Sequence, residues 1–120
     1  MAFPSRILGA GNSPLSSSTI CGDGGTGLVA LGTTAATALQ LSAVFNAITT
    51  SAASTGVKLP PTEVGAMVGI RNDSGQTITV YPYDTSSTIN AAAASLSVAT
   101  AKTVLLFATS ATTWASVTTA

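Results

Sequence analysis

The cluster that most invites a chemical reading is Gly22-Asp23-Gly24-Gly25-Thr26-Gly27. It satisfies the G-x-G-x-x-G pattern of dinucleotide sites, which works when a strand leads in, a helix leads out and an acid about 20 residues later holds the ribose. No Asp or Glu lies between Asp23 and Glu63, so that acid is missing. No Gly-Lys-Ser/Thr follows the glycines, as a phosphate-binding P-loop requires. No cofactor is expected. Histidine is absent, which removes the usual general base and the commonest metal ligand. A single cysteine, Cys21, cannot build a zinc site or a disulfide framework. The four acids, Asp23, Glu63, Asp73 and Asp84, are spread through segments rich in turn residues. Two of them meeting in space would make a glycosidase-type pair; each is equally simply a turn residue or a surface charge. Asn72-Asp73-Ser74 matches the glycosylation sequon and is read as a turn. No catalytic residue and no metal ligand is assigned, and the chain is read as non-enzymatic.

The aromatic residues are the remaining candidates. Tyr81-Pro82-Tyr83 is either a platform on which a sugar stacks or a strand end with its phenols at the rim. Trp114 either covers the open end of a sandwich or anchors a subunit contact. Phe45 and Phe107 are expected in the core. Leu59-Pro60-Pro61 is pre-set in an extended form that costs little entropy to order, which suits a subunit edge as well as a rigid inter-strand loop.

Composition narrows the partners. The 120 residues are enough for one domain with a core, and 46% are apolar. Only four cations and four acids are present, and nearly half the positions are Ala, Ser or Thr. A surface of hydroxyls and methyls with zero net charge does little to keep copies apart. That favours an assembly subunit over a free monomer. Four scattered cations form no phosphate-binding stripe, so nucleic acid is not an expected partner. The most hydrophobic stretch, 91–108, is broken by Ser95, Ser97, Thr100, Lys102 and Thr103 and is no membrane span. The start of the chain lacks the apolar run of a signal peptide, which predicts folding in a reducing cytoplasm.

The elements that must position these residues follow from spacing. Residues 1–27 hold Pro4, Pro14, Ser16-Ser17-Ser18 and several glycines outside any periodic pattern. They also carry Phe3, Ile7, Leu8, Leu15 and Ile20, which an idle tail does not need. This segment is read as an extended docking arm, with a frayed terminus as the plainer option, and residues 28–120 as the folded domain. Within the domain, Val64, Ala66, Val68 and Ile70 alternate with Gly65, Met67, Gly69 and Arg71, the period of a half-buried strand. Asn72-Asp73-Ser74-Gly75 is a turn, and Thr77 to Tyr81 alternate again, which predicts a hairpin. Strands are also expected near 37–41, 46–51 and 96–99. Thr103 to Thr109 is a continuous apolar run suited to a strand buried on both faces, and 113–117 alternates. Turns recurring every ~8–12 residues predict an all-β, compact antiparallel β-sandwich or jelly-roll-like domain.

One ordered series of motifs carries a resemblance. It runs Gly56-Val57-Lys58-Leu59-Pro60-Pro61, Gly65, Ile70-Arg71-Asn72, Gly75-Gln76-Thr77-Ile78-Thr79-Val80-Tyr81-Pro82, Ile89-Asn90, Ala101-Lys102-Thr103, Phe107, Ser110 and Trp114. Over residues 33–120 the chain resembles small tailed-phage virion proteins of the capsid decoration (cement) type. The resemblance implies a β-sandwich or jelly-roll-like homotrimer seated on the major capsid protein lattice at the virion surface, with no catalytic residues. In that frame Phe3, Ile7, Leu8, Leu15 and Ile20 dock on the capsid, while Leu59, Pro60, Pro61 and Trp114 are candidates for the subunit interface. The alternative within the virion is a tail or head-fibre component recognising a host surface glycan through Tyr81, Tyr83 and Trp114. An alternative of another class is an enzyme acting on cell-wall sugar through paired acids.

Overall fold

The computed structural model describes residues 10, 11, 13, 22–91 and 93–120. The arm candidates Phe3, Ile7, Leu8, Leu15 and Ile20, and Cys21, lie outside the described residues. Ten strands and no helix occur among those described: β1 (Gly24–Val29), β2 (Leu39–Gln40), β3 (Phe45–Thr50), β4 (Gly56–Lys58), β5 (Met67–Asn72), β6 (Ile78–Tyr81), β7 (Thr88–Ile89), β8 (Leu96–Val98), β9 (Thr103–Ala108) and β10 (Thr113–Thr118). They form a six-stranded sheet, β1-β3-β5-β9-β10-β7, and a four-stranded sheet, β2-β4-β6-β8.

The all-β class is as expected; the antiparallel jelly-roll connectivity is not. From β1 to β6 the chain visits the two sheets alternately, and successive turns of the winding stack in parallel. Gly24 pairs with Phe45 and Phe45 with Gly69 in one sheet; Leu39 pairs with Val57 and Val57 with Val80 in the other. Parallel neighbours need a long crossover, and here each crossover is a strand of the opposite sheet. The result is a short two-sheet β-solenoid. Antiparallel strands close its end: β8 adds to β6, β9 to β5 and β10 to β9, while β7 joins β10 in parallel.

The predicted hairpin is corrected accordingly. β5 and β6 lie in different sheets, and Asn72 to Gly75 forms the corner between them. Asn72 explains why the chain turns there. Its fully buried amide donates to the Gln76 carbonyl at 2.8 Å and to the Val98 carbonyl of β8 at 2.9 Å. Its Oδ1 accepts from the Ser74 backbone N–H at 3.0 Å. One side chain therefore ties the end of a strand in the first sheet to a strand of the second. The strand β1 begins at Gly24, so the last four residues assigned to the arm belong to the six-stranded sheet.

The core lies between the sheets. Ile48, Val68, Ile70, Ile89, Val104, Leu106 and Trp114 from one sheet face Val57, Ile78, Val80 and Val98 from the other, joined by Leu41 and Leu59. Each buried aliphatic side chain of this kind contributes about 1.5–3 kcal/mol relative to exposure. The period-two pattern places Val68 and Ile70 inside and Met67 and Arg71 outside.

Candidate functional site

Two surfaces on opposite sides of this core carry the features that the fold does not use. The first is the outer face of the six-stranded sheet. Phe45 (48% exposed), Met67 (42%), Phe107 (36%) and Val117 (61%) lie on it. The register sets them in two adjacent rows: Phe45, Gly69, Leu105 and Val117 in one, Met67, Phe107 and Ala115 in the next. Gly69 gives Phe45 its place, since a β-carbon there would stand 2.8 Å from Phe45 Cδ1. Arg71 borders the face and is paired with Asp73 at 2.7 Å. Beside Phe45 is a shallow depression of about 230 Å³ bordered by Gly24, Gly25, Ala47 and Arg71. Asn46 reaches towards it, donating to the carbonyls of Ala43 and Gly69 while its buried Oδ1 has no partner among the described residues.

This face corrects two expectations. Phe45 and Phe107 are not core residues, and β9 is not buried on both faces. Val104, Leu106 and Ala108 point inward, whereas Leu105 and Phe107 point outward. A continuous apolar run carries no parity signal, so nothing in the local sequence separates its two faces.

The second surface is on the outer face of the four-stranded sheet, at the end of β6. Tyr81 pairs with Lys58 of β4, and its hydroxyl donates to the Thr33 carbonyl at 3.3 Å. Its ring closes over Gly56, where a β-carbon would lie 2.8 Å from the ring and 2.6 Å from the Thr79 carbonyl. Pro82 is buried, and Tyr83 beyond it is 45% exposed. Lys58 Nζ stands 5.6 Å from the centroid of the Tyr83 ring, within cation–π range. Together Ala35, Ala36, Lys58, Tyr81, Tyr83 and Asp84 line an open groove of about 460 Å³. Asp84 Oδ1 accepts from the Ser86 hydroxyl at 2.8 Å and from the Ser86 and Ser87 backbone N–H groups at 3.1 and 2.9 Å. The Ser86 hydroxyl, followed by Ser87, holds this carboxyl below the usual carboxylate range.

The other predicted residues fall elsewhere. Trp114 is fully buried, because β10 turns it inward between the half-exposed Thr113 and Ala115. Its Nε1 donates to Thr62 Oγ1 at 3.0 Å, so it belongs to the core of its own chain and reaches neither a subunit surface nor a glycan. Leu59 is likewise fully buried, two residues on from Val57 on the inward side. Of the remaining interface candidates, Pro60 is half-buried and Pro61 exposed. Gly22 to Gly27 does not form a nucleotide loop: Gly24 opens a strand, and Asp23 accepts from the Val44 backbone N–H at 2.9 Å. Asp23 is bonded to the Val44 N–H at the entry to β3, Asp73 to Arg71 and Asp84 within its own turn, and no cluster of three His, Cys, Asp or Glu occurs among the described residues. Among the described residues no helix is long and apolar enough to cross a membrane. Lys58 reaches the groove only through the pairing of β4 with β6, which no local pattern announces, whereas Asp84 directly follows Tyr83 in the chain. No protein-family model, curated protein or solved structure matches the chain.

Proposed function

We propose that this chain is a non-enzymatic structural subunit of a phage virion, a capsid decoration protein that binds the major capsid protein lattice and stabilises the head. It works as a homotrimer. The observation that carries the reading is the apolar outer face formed by Phe45, Met67, Leu105, Phe107 and Val117 on a chain with four cations and four acids in total. Contiguous exposed apolar surface of this kind is a liability on a free monomer and marks a surface that a partner covers. A second copy suits it, since these five residues are uncharged, the bordering Arg71 is paired with Asp73, and the chain's net charge is zero, which leaves little to repel its like. The subunit contact is therefore placed on this face in preference to Leu59 and Trp114, which the core consumes. The N-terminal arm, with Phe3, Ile7, Leu8, Leu15 and Ile20, is the capsid-docking element. Three arms per trimer gain avidity without strong single contacts.

The test is copy number per purified virion, by quantitative mass spectrometry against the major capsid protein. Copies in a simple ratio to capsid subunits support decoration. A handful per particle moves the protein to the tail or a fibre, and none overturns the virion reading. A chain lacking residues 1–21 is expected to fold and trimerise without attaching to the head; full attachment removes the arm from the proposal.

A further inference from the structure

The groove at the end of β6 faces away from the apolar sheet face, so burying one leaves the other in solvent. We propose that this groove is a binding site for a neutral pyranose sugar. The inference stands on the groove's own chemistry and does not depend on the virion reading.

Three features of the groove converge on that ligand. Tyr83 offers an exposed aromatic ring, the kind of surface onto which the C–H face of a pyranose packs. Lys58 brings donors and Asp84 brings acceptors to the same groove. All the hydrogen bonds that Asp84 receives from Ser86 and Ser87 go to Oδ1, which leaves Oδ2 for an incoming donor. Sugar hydroxyls both donate and accept, so a polyhydroxylated ligand satisfies the ammonium and the carboxylate together. One cation and one anion also balance: an anionic ligand meets Asp84 and a cationic one meets Lys58.

The groove is also pre-ordered. Tyr81 is held by its bond to the Thr33 carbonyl and by contact with Gly56, and Asp84 by its three hydrogen bonds. Lys58 sits against the Tyr83 ring. Side chains already fixed lose little entropy when a weak ligand arrives. The volume of about 460 Å³ is within the range of small-ligand sites.

The experiment titrates the full chain with the methyl glycosides of glucose, galactose, mannose and N-acetylglucosamine, followed by amide chemical shifts. The expected result is a saturable shift for at least one glycoside, confined to residues 33–36, 58, 81–87 and 94. Tyr83→Ala is expected to weaken that affinity about tenfold with the amide spectrum otherwise retained, and Asp84→Asn to weaken it as well. Absence of saturable shifts with all four glycosides overturns the proposal. So do shifts that map outside the groove, or an affinity that Tyr83→Ala leaves unchanged. Copy number and trimer state are unaffected by any of these outcomes, so failure here is distinct from failure of the decoration reading.

Discussion

The indole N–H of Trp114 donates to the hydroxyl of Thr62, 52 residues earlier in the chain, at 3.0 Å. Thr62 Oγ1 in turn lies 3.0 Å from Ser87 Oγ, and the Ser87 backbone N–H donates to Asp84. A short chain of hydrogen bonds thus runs from the only tryptophan, in the core, to a carboxylate at the groove. It satisfies the one polar atom of a ring that is otherwise wholly in apolar surroundings.

This relationship predicts a graded stability series. Trp114→Ala removes the largest core side chain and is expected to cost about 3–5 kcal/mol. Thr62→Val keeps the volume but strands the indole N–H, at about 1–3 kcal/mol. Urea unfolding at constant m-value measures both. Equal trimer content in the folded fraction of each variant is the further expectation, because neither residue touches the proposed subunit contact. Selective loss of the trimer in a still-folded Trp114 variant returns that residue to the interface.

At the apolar face, Phe107→Glu sets a carboxylate between Met67 and Ala115, its neighbours across β5 and β10. An unpaired charge buried in a contact costs about 3 kcal/mol or more, a hundredfold or greater weakening of association. The variant is expected to be a folded monomer by light scattering at concentrations where the proposed trimer of the wild type is expected to form. An unchanged trimer removes this face from the proposed interface.

Asn72 holds the corner between the sheets. Asn72→Ala removes the side-chain donor to the Val98 carbonyl and the acceptor of the Ser74 N–H, and leaves the Gln76 carbonyl with the Ser74 hydroxyl alone, at a cost of about 3 kcal/mol. Asn72→Asp is expected to be worse, since it loses both donors and brings a charge into a buried site. Denaturant midpoints order the three proteins; an aspartate variant as stable as wild type shows that the corner does not depend on those donors.

Asp84 predicts a pH dependence. Its carboxyl is held below its ordinary value by the Ser86 hydroxyl and then Ser87, so its contribution is complete above the unfolded-state value of about 4. That contribution is lost as pH falls through the lower, folded-state value. Asp84→Asn is expected to remove this share of the acid-side decline and leave the remainder. Unfolding midpoints compared between neutral and acid pH check it, and identical acid slopes in both proteins contradict it. The group is solvent-exposed, so the difference is expected to be small.

What the sequence by itself determined is local. Period-two alternation at Val68 and Ile70 and at Ile78 and Val80 specified strands and the side each one buries, because the pleat leaves no other arrangement. The turn at Asn72 to Gly75 was equally readable, as were the shortage of charge and the absence of histidine. Tertiary structure alone decided where the chain goes after the turn. The same turn residues serve a hairpin or a corner, and the choice rests on Asn72 meeting the Val98 carbonyl 26 residues ahead. It also decided the parity of Thr103 to Ala108, where apolar residues on both sides leave the inward face to be set by pairing with β5. Phe107 left its expected place in the core for that reason, whereas Trp114 took the inward of the two roles open to it. Burial follows from which sheet a strand joins, and that is a property of the whole winding.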